Sequence, residues 1–184
     1  MKIIALIPAR LNSSRFNRKL MMDLCGKTVI SRTYDAVLAS NLFSSVIVVT
    51  QDKEIYKEII SNNGDSILIE KDYNSGTDRI ADACTKIETD IIINVQGDEP
   101  FIDLSSLEKL VNIFKNDPRN EISYASLMIL MKNNKDINNY NNVKVSVDNK
   151  GYAINFSRKP ISSITTLNKE VFYKHIGVYG YRKS

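Results

Sequence analysis

The sequence predicts an α/β fold, a mostly parallel sheet flanked by helices, with a β-rich projecting element in its second half. Four short runs rich in Ile and Val, IIALI (3–7), SVIVV (45–49), SILI (66–69) and DIIINV (90–95), have the length and β-branched content of buried strands. Segments with helical periodicity, 28–40, 52–62, 77–87 and 104–115, separate and follow them, so right-handed crossovers would set the strands parallel. After about residue 118 the alternation gives way to strand-like runs, ISYASLMIL, VKVSVD, YAINFS and YKHIGVYGYR. The expected organisation is one domain over 1–184 with a β-rich element at about 130–175.

Each element has a local reason. The first apolar run ends at Pro8 and Arg10, and the loop PARLNSSRFNRKL follows it. CGKT (25–28) resembles the end of a P-loop, but the glycine that motif needs is replaced by Met21, so the segment reads as a turn into the 28–40 helix. Asp52 and Asp103 stand where N-caps belong, each with a carboxylate able to accept from the free amides of the first turn. DNKG (148–151) reads as a hairpin turn, and KNNKDINNYNN and KPISSITTLNKE read as exposed loops.

At 184 residues, 43% hydrophobic and 25% charged, the chain can bury a core without staples. A net charge of +4 is too small to point to nucleic acid. Two isolated cysteines, Cys25 and Cys84, and the single His175 supply neither a redox pair nor a multi-histidine zinc site. The N-terminal apolar run is shorter than a signal peptide requires, and no 18-residue apolar stretch exists. The expectation is a cytoplasmic protein without membrane insertion.

In an open parallel sheet, ligands lie beyond the carboxyl ends of the strands. After the first strand, Arg10, Arg15, Arg18 and Lys19 come with no acid among them, a loop suited to triphosphate or, failing a ligand, a solvated basic turn. After the fourth strand comes QGDEP. Gly97 there would let backbone approach a ligand, and Asp98 could bridge Mg²⁺ to phosphate oxygens, although the spacing alone fits a solvated turn equally well.

The segments IIALIPARLNSSRF with Lys19, NSGTDRIAD, IINVQGDEP, NNVKVSVDNKGYAINFSR and KHIGVYGYR, in this order, resemble the 3-deoxy-manno-octulosonate cytidylyltransferase (CMP-Kdo synthetase) family over nearly the whole chain. The resemblance implies a Rossmann-like nucleotidyltransferase that takes CTP and the sugar acid Kdo, uses Mg²⁺, releases pyrophosphate and serves lipopolysaccharide biosynthesis as a homodimer, with the β-rich element at about 130–175 as its sugar-side or dimerisation element. It assigns Lys19 and Asp98 to catalysis, with Asp98 on the metal. Pro8, Ala9, Arg10, Arg15, Lys19, Ser75, Gly76, Thr77 and Gln96 would contact nucleotide, and Arg158, His175 and Tyr179 the sugar acid. A guanidinium binds a carboxylate through two parallel hydrogen bonds, which suits Arg158 to that task. Without the resemblance, SGTDR is a capped helix start with Asp78 and Arg79 solvated, and His175 is structural.

Two departures from the family stand out. Asn17, Arg18, Lys19 and Leu20 replace its Pro-Gly-Lys-Pro, and a positive φ at Arg18 would bring strain of about 1 kcal/mol. Family members also continue beyond Ser184 with a Glu, a Gln and a second metal-binding Asp. If the chain ends there, loss of that carboxylate should weaken catalysis by roughly several kcal/mol. The competing expectations are therefore an impaired homologue that keeps nucleotide binding or dimerisation, and a cytidylyltransferase for another sugar acid.

Overall fold

The computed structural model describes residues 1–12, 16–71, 73, 75–164 and 169–183. They form two compact units, Met1–Ala125 with Val178–Ser184, and Ser126–Gly177.

In the first unit, β1 (Ile3–Ala9), β2 (Val46–Thr50), β3 (Asp65–Leu68) and β4 (Ile91–Val95) make a parallel sheet in the order β3-β2-β1-β4. The final strand, β9 (Glu170–Arg182), adds its residues 178–182 antiparallel to β4, with Val178 opposite Val95 and Arg182 opposite Ile91. The sheet is thus mostly parallel, as its apolar runs require: β1 and β4 are buried at every position, because helices cover both faces.

The helices are α1 (Val29–Ala39), α2 (Lys53–Ser61), α3 (Gly76–Cys84) and α4 (Leu104–Lys115), each within a few residues of its expected span. On one face Ile80, Ala83 and Cys84 of α3 pack on Ile4, Leu6, Val49 and Ile92. Phe114 of α4 lies so close to Gly180 that a methyl group there would stand 2.3 Å from its ring. Burial raises the Cys84 thiol to about 11, so this cysteine is an inert core residue.

Capping follows expectation at Asp103, which accepts from the Ser106 amide at 2.9 Å, and Thr28 adds a cap not singled out in sequence, accepting from Ser31 at 3.2 Å. Asp52 departs from it. It holds the N-cap position of α2, but its carboxylate accepts from the Leu11 amide at 2.8 Å instead of the helix's first turn.

Where β1 leaves the sheet, its two neighbours part company. Pairing with β2 continues to Ala9 opposite Thr50, whereas pairing with β4 ends at Leu6 opposite Asn94. Pro8, which brings no amide hydrogen to a ladder, sits beyond the last β4 pair. The crevice of an open α/β sheet forms at such a divergence.

The second unit holds most of β5 (Tyr124–Met131), with α5 (Asn134–Asn138), β6 (Lys144–Val147), β7 (Ala153–Ser157), β8 (Ser163–Ile164) and the start of β9. β6 and β7 form the expected hairpin over DNKG, closed by Gly151 at φ +87° and by the Asp148 amide on the Tyr152 carbonyl at 2.9 Å. β6 and β8 each pair antiparallel with β9, at Val145 opposite Tyr173 and Ser163 opposite Val171.

Two segments expected as loops carry structure. KNNKDINNYNN contains α5, because Asn133 accepts from the Asp136 amide at 2.8 Å and so caps a helical turn in a polar run. KPISSITTLNKE contains β8, and its residues 165–168 lie outside the described residues.

Candidate functional site

The basic loop after β1 is held by acids from elsewhere. Its ends meet through the Arg18 amide on the Leu11 carbonyl at 2.9 Å, and α2 secures both ends: Asp52 accepts from Leu11, and Glu54 pairs with the Arg18 guanidinium at 2.5 Å. Arg18 has φ +59°, the left-handed conformation its replacement of a family glycine made consequential. Arg10, at the mouth of the loop, is exposed and meets no acid among the described residues. Arg15 lies outside the described residues.

Lys19 opens a single 3-10 turn, Lys19–Met21, whose Leu20 is buried. Its ammonium forms an ion pair with the carboxylate of Asp98, from a segment 79 residues away. The two groups that sequence placed beyond separate strands are therefore in direct contact. Both side chains remain partly exposed, at 35% and 42%, so a ligand can reach them.

Gly97 is closely packed. A methyl group there would come within 3.0 Å of Ile30, 3.2 Å of Leu20 and 3.2 Å of the Pro8 carbonyl oxygen. Close packing of the turn against α1, the 3-10 turn and β1 therefore favours glycine there. The Thr33 hydroxyl, fully buried on α1, donates to the Gly97 carbonyl at 2.9 Å and fixes the turn that presents Asp98.

SGTDR forms the N-terminus of α3. Ser75 caps it, and Asp78 answers in a reciprocal capping box. The Ser75 hydroxyl is consequently committed to the helix, 2.8 Å from Asp78 Oδ2. Arg79, which a plain capped helix start would leave in solvent, is 2% exposed; its guanidinium donates to Gln51 at 2.8 Å and lies over the Tyr73 ring. Thr77 is exposed on the first turn, and a methyl on Gly76 would stand 3.2 Å from the Pro8 ring and 3.9 Å from Gln96 Oε1. Pro8, Gly76 and Gln96 therefore converge, with Ala9 buried at the end of β1.

Gln96 donates through Nε2 to Asn94 Oδ1 at 3.2 Å, and Asn94 sits opposite Tyr179 on β9. Asn94 is fully buried and its Nδ2 has no acceptor among the described residues. Burial, and then the neighbouring Tyr181, raises the Tyr179 hydroxyl above its ordinary range; its ring stacks on Tyr124 at 6.0 Å.

Arg158 and His175 belong to the second unit. The Arg158 guanidinium donates to the Tyr140 carbonyl at 3.1 Å and lies over the Tyr140 ring. His175 packs edge-on against Phe156 at 5.1 Å, and burial lowers its pKa, which keeps the imidazole neutral at pH 7.

Sequence reasoning did not single out Glu54, Thr33 or Asn94 for the site, and it gave Asp52 another task. Glu54, Thr33 and Asp52 act on residues far away in the chain, so no local pattern could expose them, whereas Asn94 accepts from Gln96 two residues on and is opposite Tyr179 only through the sheet. As for a metal, Asp98 is the acidic ligand available beside Lys19, and no cluster of three His, Cys, Asp or Glu occurs among the described residues. The arrangement suits one carboxylate completed by phosphate oxygens and water.

A family model described as cytidylyltransferase matches residues 4–184. The 3-deoxy-manno-octulosonate cytidylyltransferase of Flavobacterium johnsoniae is 50% identical over the whole chain, which spans 75% of that protein. The enzyme of the same name from Christiangramia forsetii is 47% identical, with 74% of its length spanned. A solved structure described as CMP:2-keto-3-deoxy-manno-octonic acid synthetase complexed with CTP superposes with a TM-score of 0.90 at 34% identity, covering 99% of this chain and 74% of that one.

Proposed function

The chain belongs to the cytidylyltransferase family, and from that membership we propose that it transfers CMP from CTP to 3-deoxy-manno-octulosonate and releases pyrophosphate. The observation in this molecule that supports the chemistry is the meeting of Lys19 and Asp98 at the diverging ends of β1 and β4. The sugar specificity rests on the named relatives. A non-catalytic remnant and a transferase for another sugar acid find no support in them.

In this reading the anomeric hydroxyl of the sugar acid attacks the α-phosphorus, its proton departs, and the bond to the pyrophosphate oxygen breaks. Such a transfer is catalysed chiefly by positioning and by neutralising charge on phosphate oxygens. Arg10, Arg15 and Lys19 hold the triphosphate, and the free amides of the first turn of α3, at Gly76 and Thr77, face it with the positive end of the helix dipole. Pro8 and Ala9 shape the nucleotide side, with Ser75 acting through the cap it forms and Gln96 turned toward the ligand. Arg158 takes the sugar carboxylate, and neutral His175 and Tyr179 line the sugar side.

Asp98 would hold Mg²⁺, which would supply charge neutralisation at the phosphate oxygens, and Lys19, paired with Asp98 in this structure, would supply a second positive charge beside it.

A homodimer belongs to the same proposal, with a second copy covering the second unit. Ile129 on β5 and Ile154 on β7 are 57% and 69% exposed there, beside exposed Met128, Leu130 and Phe156. Family membership likewise supports a cytoplasmic role in lipopolysaccharide biosynthesis.

The test is pyrophosphate release with CTP, Mg²⁺ and Kdo. UTP, ATP and other sugar acids should give far slower release. No release at high protein concentration, with CTP binding retained, rejects the proposal, and gel filtration at the monomer mass rejects the dimer.

A further inference from the structure

Lys144 is fully buried on β6, yet no carboxylate among the described residues meets it. Its ammonium donates to three backbone carbonyls: Asn139 at 2.7 Å, Asn142 at 3.0 Å and Arg158 at 2.7 Å. All three of its protons are used. A buried ammonium is expensive, and an apolar side chain of the same length would fill the space more cheaply. What the lysine provides is directional: it joins the 139–142 loop to the end of β7, where Arg158 follows Ser157.

Arg158 completes a second connection to the same loop. Its guanidinium donates to the Tyr140 carbonyl and lies over the Tyr140 ring, 5.7 Å from the ring centre. Its backbone is held by Lys144, and its side chain rests on a loop that Lys144 also holds. Neither cation has an acidic partner among the described residues, so the guanidinium keeps donors for an incoming anion. Burial, and then the charge of Arg158, lowers the pKa of Lys144, which agrees with two uncompensated cations close together.

We infer that Lys144 is a positioning residue for the sugar acid: by clamping the carbonyls of Asn139, Asn142 and Arg158, it aims the Arg158 guanidinium for two-pronged capture of the substrate carboxylate. The inference rests on the function proposed above. It assigns to Lys144 no contact with substrate.

The test measures steady-state kinetics for the full chain, with Kdo and CTP varied separately. Lys144→Met should raise KM for Kdo about tenfold or more, as expected for a misaligned charge-assisted pair, with KM for CTP almost unchanged. Tyr140→Ala, a change at an exposed residue that leaves the clamp in place, should raise KM for Kdo several-fold. In an Arg158→Ala background, where KM is already high, Lys144→Met should add almost nothing. A soluble, folded Lys144→Met with wild-type KM for Kdo overturns the inference, as does an effect that adds fully to Arg158→Ala or falls equally on CTP. If Lys144→Met does not fold, Tyr140→Ala decides, and wild-type kinetics in that variant overturn the inference. Failure of the wild-type chain to use Kdo would instead reject the functional reading and take this inference down with it.

Discussion

Asp98 and Arg18 represent opposite uses of a charged side chain. Asp98→Ala removes the carboxylate proposed for the metal and should reduce Mg²⁺-dependent turnover by at least about a hundredfold. Because its ion pair with Lys19 is partly exposed, the melting transition should shift by no more than ~0.5 kcal/mol. Undiminished pyrophosphate release in that variant would remove Asp98 from the mechanism. Arg18→Gly relieves about 1 kcal/mol of left-handed strain. It also removes the exposed pair with Glu54 and loosens the unfolded chain, each worth about 0.5–1 kcal/mol. These effects nearly cancel, so denaturant titration should place Arg18→Gly within ~1 kcal/mol of the parent. A loss of several kcal/mol would mean that the Arg18–Glu54 contact carries far more of the loop than an exposed pair can.

At the scale of elements, the turn after β4 and the packing of α4 depend on absent side chains. Gly180→Ala would drive a methyl group to 2.3 Å from Phe114, which is itself buried, and should destabilise the protein by about 1–3 kcal/mol. Phe114→Leu in the same chain should recover part of that loss, whereas an unaltered melting temperature in Gly180→Ala would mean that α4 shifts freely. The helices themselves were legible locally: period and length agree at α1 and α4, and the cap at α4, because each apolar stripe lies within one continuous segment. α5 was not, since its asparagine-rich run offers no stripe and depends on one side-chain cap. Nor was the true partner of Asp52, since a carboxylate at an N-cap looks the same in sequence whether it turns to its own helix or to the loop after β1.

For the molecule as a whole, acid should act through groups buried in their charged or neutral forms. The Asp117 carboxylate accepts from the Ile122 and Glu121 amides and pairs with Arg182 at 2.8 Å, and these contacts lower its pKa, the Ile122 amide most. The stability it contributes is therefore present above the ordinary aspartate range and is lost as pH falls through the depressed value. Burial lowers the pKa of His175, so below about pH 6.5 the unfolded chain takes up a proton that the folded one resists. Both effects have the same sign. Melting temperature should fall below about pH 6.5 through His175 and again below about pH 4 through Asp117, and Asp117→Asn should be less stable at pH 7 with a flatter limb below about pH 4. A variant whose pH profile parallels the parent would show that Asp117 is not responsible.

By itself the sequence determined the alternation of strands and helices, the cationic character of the loop after β1, and the family, because apolar period, charge and signature segments are written in consecutive residues. It named the residues that would work together without showing which of them touch. Tertiary structure alone decided that Lys19 meets Asp98, that Asp52 and Glu54 brace the basic loop, that Arg79 is buried, and that Gly97 is closely packed. Those are contacts between groups tens of residues apart, set by strand order and by how closely helices approach the sheet. A local pattern of residue types has no means of recording such distances.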